Sequence, residues 1–329
     1  MRLQRTAPMR SICVLAMILG MVALAPQVST AQPGQQSPPD SNSRLRALVA
    51  AVPMLDVERI ELQPAVKLEG ISAITSDKTG NLYVIHRPTD PNTDPVVVLN
   101  RDGKFLRSWG NGMFTIPHGI KIDPDGNLWT TDANTSRIYK FTPQGKMLLE
   151  IEVGGIPDPK ADFCSITDVA FSPTGNGHVF VADGYCNGRV LEYDSAGKKV
   201  TEWGSKGDGP GQFNNAHGIA FGPDRNLYVA DRENGRLQWF DMNGKFLGMR
   251  TYGGQFYNVV FDSHGELWAS VHPTGVSLDE EFNVVHIDLK TGRMLGRVPG
   301  RSHQLGIGDD GTILPASRGG SLIIYRPKK

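Results

Sequence analysis

The chain has 329 residues, with 34 basic and 34 acidic side chains and a formal charge of zero. That balance, without any stripe of lysine or arginine, argues against nucleic acid as a partner. The longest apolar stretch lies at the N-terminus, and nothing later resembles a membrane span.

Arg2, Arg5 and Arg10 precede an almost unbroken apolar run from Cys13 to Ala25, and Ser29, Thr30 and Ala31 follow with small side chains. This order predicts a secretory signal over residues 1–31. The run is shorter than the ~20 residues a spanning helix needs, and Cys13 sits inside it rather than behind it, which argues against a lipid anchor. The expectation is a secreted or periplasmic monomer. Without the leader, 31 basic and 34 acidic residues remain, a net charge of −3. Residues 32–55 read as a linker: a Pro-, Gln- and Ser-rich tether to about Asn42, then one short helix within Arg44–Leu55. Residues 56–329 read as the folded domain.

From there one unit recurs: a short apolar strand, an Asp/Gly turn, an apolar strand ending near Asp, then two more strands joined by a Gly-Lys turn. Its core stands at Asp77 (DKTGNLYVIH), Asp123 (DPDGNLWTTD), Ser172 (SPTGNGHVFVAD), Gly222 (GPDRNLYVAD), Asp262 (DSHGELWASV) and Asp309 (DDGTILPAS). Steps from Leu82 through Leu128, Val179, Leu227 and Leu267 to Ile313 are 46, 51, 48, 40 and 46 residues. Four short strands per 40–50 residues predict an all-β, six-bladed β-propeller with four-stranded blades. The last copy has three strands, so Val57–Leu62 (VERIEL) is expected to supply the fourth and close the ring.

His118, His217 and His303 each stand ten residues before the first apolar residue of a second strand, at Leu128, Leu227 and Ile313. The same register in the intervening copies gives Ser72, Tyr257 and, with two extra turn residues, Thr167. In a closed ring the three histidines therefore occupy alternate blades, roughly 120° apart. Neutral imidazoles are good zinc ligands, and three leave one coordination position open. One such histidine alone would read as a loop cap; three in one register read as a metal site. His86, His178, His264, His272 and His286 do not share that register. Arg87, Tyr185 and Arg232 fall at second-strand ends, hence at the same channel mouth. Paired arginine donors suit a carboxylate, although Asp231 and Glu233 offer Arg232 a salt bridge instead. A tyrosine beside a metal and arginines can become a phenolate base. Cys164 and Cys186 flank the same mouth, and a disulfide between them is expected in an oxidising compartment.

The segments FCSITDVAFSPTGNGHVFVADGYCNGRV, GQFNNAHGIAF, VADRENGRLQWF and IPHGIKIDPDGNLWTTD resemble the peptidyl-α-hydroxyglycine α-amidating lyase family, propellers of the NHL-repeat type. The similarity runs from about Gly70 to the C-terminus. It implies zinc on His118, His217 and His303, a general base at Tyr185, site arginines at Arg87 and Arg232, and a Cys164–Cys186 disulfide. A second family disulfide would need cysteines where this chain has Tyr228 and Trp239. The family's Met-Pro-His-Asp is here Arg301-Ser302-His303-Gln304, which removes an aspartate that binds structural calcium. The reaction implied is cleavage of an N-acyl-α-hydroxyglycine, a small or peptide substrate with a carboxylate, to an amide and glyoxylate. Two other readings remain open: a metal-dependent lyase or hydrolase for another metabolite, and a non-catalytic NHL binding propeller.

Overall fold

The computed structural model describes residues 40–155, 163–274, 282–317 and 322–328; the leader expected over residues 1–31 lies outside them. The first five repeats each form a four-stranded antiparallel sheet whose strands pair in chain order. The second blade, for example, consists of Pro117–Ile122, Leu128–Asp132, Arg137–Phe141 and Met147–Glu152. The first strands of the six blades begin at Ala73, Pro117, Asp168, Ala216, Gln255 and Leu305. Each packs against the first strand of the next blade, and the last returns to the first. The protein is therefore a closed all-β propeller of six blades. Blade six takes Val57–Leu62 as its outer strand, in antiparallel register from Val57↔Pro327 to Leu62↔Leu322. That pairing joins the two ends of the domain and gives Leu322–Pro327 the ladder partner its own repeat lacks.

The recurring Asp/Gly turns have a local cause. Asp77, Asp123 and Asp262 each accept the backbone N–H groups of the residues two and four positions on, at 2.8–3.0 Å. The turn glycines Gly80, Gly126 and Gly265 adopt φ of 84°, 84° and 78°, a region costly for residues with a Cβ. Aspartate starts the turn and glycine completes it, which is why the pair marks the hairpin between first and second strands in these three blades.

The apolar core lies between neighbouring blades rather than in the channel. Blades two and three, for instance, bury Trp129, Ile138, Ile151, Val169, Val181 and Leu191 against one another. Burying a side chain of this size contributes roughly 1.5–3 kcal/mol, so every blade is held from both sides. One helix, α1 (Ser41–Ala50), precedes the propeller, capped by the Asp40 carboxylate on the Ser43 N–H at 2.8 Å. Its Leu45 and Val49, one turn apart, are buried on the core shared by blades four and five. Among the described residues no helix is long and apolar enough to cross a membrane.

Candidate metal centre at the channel mouth

The first strands start with an irregularity that aims the site residues. In blade two, Pro117 faces Asp132 and Gly119 faces Thr131, leaving His118 as an extra residue. His217 is extra between Ala216 and Gly218, and Tyr257 between Phe256 and Asn258. His303 and Gln304 together face Ala316. Such bulges bend a strand and redirect one side chain. Space beside them is tight: a Cβ on Gly218 would lie 2.7 Å from the Asn258 Cα of the next blade. Glycine after His217 therefore lets neighbouring first strands approach.

The three imidazoles converge. His118, His217 and His303 are all buried, their ligand nitrogens lie within 4.8 Å of one another, and their ring centroids are 4.7–5.2 Å apart. His118 Nδ1 lies 2.6 Å from the Thr167 carbonyl oxygen, and His217 Nδ1 lies 2.8 Å from that of Tyr257. A carbonyl only accepts, so each Nδ1 carries the proton and each Nε2 presents its lone pair inward. The intervening blades supply more than spacing. Ser72 Oγ donates to the Pro117 carbonyl at 2.9 Å and Thr167 Oγ1 to that of Ala216 at 2.7 Å, anchoring the residue before two of the histidines. Three buried imidazoles that face a common point, two of them oriented by backbone carbonyls, are a donor set for a metal ion, and here they fit one.

Tyr185 completes the cluster. Its hydroxyl donates to His118 Nε2 at 2.8 Å and lies 3.3 Å from His217 Nε2. The loop that carries it is clamped from below by Asp183, which accepts from Asn187 Nδ2 and Arg189 Nε, both at 2.8 Å. Asp231 does the same for the Arg232 loop through Asn234 Nδ2 and Arg236 Nε, at 2.8 and 2.7 Å. This clamp is the physical content of the shared motif in ADGYCNGR and ADRENGR. Gly184 lies so near blade four that a Cβ there would sit 2.1 Å from the Ala216 carbonyl oxygen, which brings Tyr185 against His217. Cys164 and Cys186 are disulfide-bonded across 22 residues. In the chain-entropy model such a link contributes about 3 kcal/mol; it also fastens Phe163 and Tyr185, whose rings meet at 5.3 Å.

Above the histidines lies a cavity of about 350 Å³, walled by Phe163, Tyr185, Tyr257 and Phe282 with Arg232, Arg301 and His303. Arg232 stacks over the rings of Tyr185 and Tyr257 at 5.5 and 5.0 Å and forms a 2.6 Å ion pair with Glu233. Burial opposes its charge, yet Tyr185, Glu233 and Tyr257 together hold its pKa above the ordinary arginine value. Arg87 Nε donates to the Pro117 carbonyl at 3.0 Å, and its guanidinium lies 5.3 Å from the ring centre of Phe163 at the cavity wall. Sequence reasoning placed Tyr185 and Arg232 at the cavity but did not identify Phe163 or Phe282, whose side chains carry no register signal. Tyr228 and Trp239, where the family's second disulfide would fall, are direct cross-strand partners with stacked rings 6.0 Å apart.

The fold and site together define a six-bladed propeller with a potential metal centre at one mouth, and NHL repeat models match residues 114–141 and 213–240. The solved streptogramin B lyase shares the fold, with a TM-score of 0.58 at 14% identity over 83% of this chain and 98% of that one. Mouse peptidyl-glycine alpha-amidating monooxygenase is 36% identical over 205 residues, 53% of this chain and 21% of its own length. A Caenorhabditis elegans protein named "Probable peptidyl-alpha-hydroxyglycine alpha-amidating lyase" is 29% identical, over 76% of this chain and 80% of its own. Drosophila melanogaster peptidyl-alpha-hydroxyglycine alpha-amidating lyase 1 is 31% identical, over 67% of this chain and 48% of its own length, so the likeness to these lyases extends over most of the propeller. The chain spans a fifth to a third of the length of its mouse and frog relatives.

Proposed function

We propose that the protein is an exported, monomeric, zinc-dependent lyase that cleaves N-acyl-α-hydroxyglycines to an amide and glyoxylate. The observation that carries this reading is the Tyr185 hydroxyl seated on the Nε2 atoms of His118 and His217, beside an arginine-lined cavity. His118, His217 and His303 would hold the zinc, which when bound would supply Lewis-acid polarisation of the substrate hydroxyl and make the neighbouring Tyr185 hydroxyl more acidic. Arg232 and Arg301 offer guanidinium donors to the substrate carboxylate, with Arg87 supporting Phe163 at the wall. The Tyr185 oxygen takes the hydroxyl proton. The C–N bond then breaks as the carbonyl of glyoxylate forms, and the departing nitrogen receives the proton back, so no oxidant or reductant is needed.

The test is direct. Purified protein with one equivalent of zinc, given a synthetic N-acyl-α-hydroxyglycine, is expected to release glyoxylate well above the zinc-only blank and to stop doing so in excess chelator. Release equal to the blank refutes the reading. Arg301 at the cavity wall, where the family has methionine, favours one second reading: the same groups acting on another small carboxylated metabolite. Turnover of such a compound in a panel that leaves hydroxyglycines untouched would establish it.

A further inference from the structure

We propose that Lys121 is a built-in replacement for a structural cation: its ammonium, held in the channel by oxygens of blades three and four, positions the histidine layer beside it. Lys121 lies three residues after His118 on the first strand of blade two. Its Nζ donates to Asp168 Oδ2 at 2.6 Å, to the Val169 carbonyl at 2.9 Å and to the Ile219 carbonyl at 2.7 Å. All three ammonium donors are thus used, each across a blade boundary. Asp168 Oδ2 also accepts from the Ile219 N–H at 3.0 Å and lies 3.4 Å from Asn258 Nδ2, and Asn258 Nδ2 donates in turn to Gln304 Oε1. One polar layer therefore links blades two to six.

Each member of that layer lies within three residues of a site residue. Asp168 follows Thr167 and Asn258 follows Tyr257, the two residues whose carbonyls orient His118 and His217. Gln304 follows His303, and Ile219 is two residues beyond His217. A structural calcium of the kind the family binds, already put in question by Gln304 in place of aspartate, does not fit here. Gln304 brings a neutral amide already engaged by Asn258, and the Asp168 carboxylate is already neutralised by Lys121. An ammonium with two backbone carbonyls and a carboxylate around it occupies the coordination that a hard cation would take.

The test compares the full-length zinc-loaded protein with Lys121→Ala, which empties the ammonium's place and leaves Asp168 and two carbonyls around it. Wild-type melting is expected to be indifferent to millimolar calcium. The variant should melt roughly 5–10 °C lower without calcium and recover most of that loss with it. The zinc arm rests on the proposed three-histidine site: zinc affinity should fall about 10–100-fold and return with calcium. Melting that ignores calcium in the variant, or wild-type zinc affinity without it, overturns the proposal. If Lys121→Ala does not fold, Lys121→Met fills the space without charge; it should bind zinc more weakly whether or not calcium is present, and wild-type affinity there overturns the positioning role. Absence of zinc binding in the wild type would instead refute the metal site, while the melting comparison would still decide the role of Lys121.

Discussion

Tyr185→Phe is expected to lower turnover by about 10²–10⁴-fold, the usual contribution of a positioned general base, while melting temperature and zinc content stay at wild-type values. The substitution removes one hydroxyl and keeps the ring, so the contacts with Phe163 and Arg232 survive. The neighbouring disulfide and the Asp183 clamp hold the backbone in place. KM should move much less than kcat, because the carboxylate contacts come from the arginines and are the same in ground and transition states. Steady-state kinetics on the zinc-loaded variant decides the matter. Near-normal kcat would reduce Tyr185 to part of the wall.

His217→Ala carries an effect of similar size by a different route. Its imidazole is fully buried, and its Nδ1 proton is fixed by the Tyr257 carbonyl. Truncation removes one of three ligands and leaves two, too few to retain a catalytic zinc firmly. Zinc should fall below about a tenth of an equivalent, and glyoxylate release by at least about 10³-fold given the barrier contribution of a bound Lewis acid. The core clusters lie between blades and away from the channel, so the propeller itself should still fold; circular dichroism and melting verify that. Wild-type zinc content in this variant would show that the histidines are not the metal's ligands.

Much of this was legible in the sequence because a propeller repeats its register. The Asp/Gly turns of blades one, two and five are local, and the strand that follows each turn repeats in every blade. The strand offset of ten residues then carries His118, His217 and His303 to equivalent bulges. The closing strand was readable from strand arithmetic, since a blade with three strands needs a fourth. What sequence did not disclose depends on contacts between distant residues. Lys121 donates to Ile219, 98 residues away, and a lysine in a strand ordinarily reads as solvent-facing. Arg87 is held by the Pro117 carbonyl of the next blade and lies over the Phe163 ring, contacts that register alone does not reveal. The buried aspartates Asp183 and Asp231 looked like strand terminators, whereas each organises a site loop through hydrogen bonds to the Asn and Arg that follow.

The central claim is that one metal on three histidines makes this propeller a lyase, and a titration of metal-stripped protein tests it most directly. Zinc is added in fractions of an equivalent, and bound metal and glyoxylate release from an N-acyl-α-hydroxyglycine are read on the same samples. The expected result is that both rise together and level off at one zinc per chain, with negligible release at zero. Full release from the metal-stripped protein, or one tightly bound zinc with none, would contradict it.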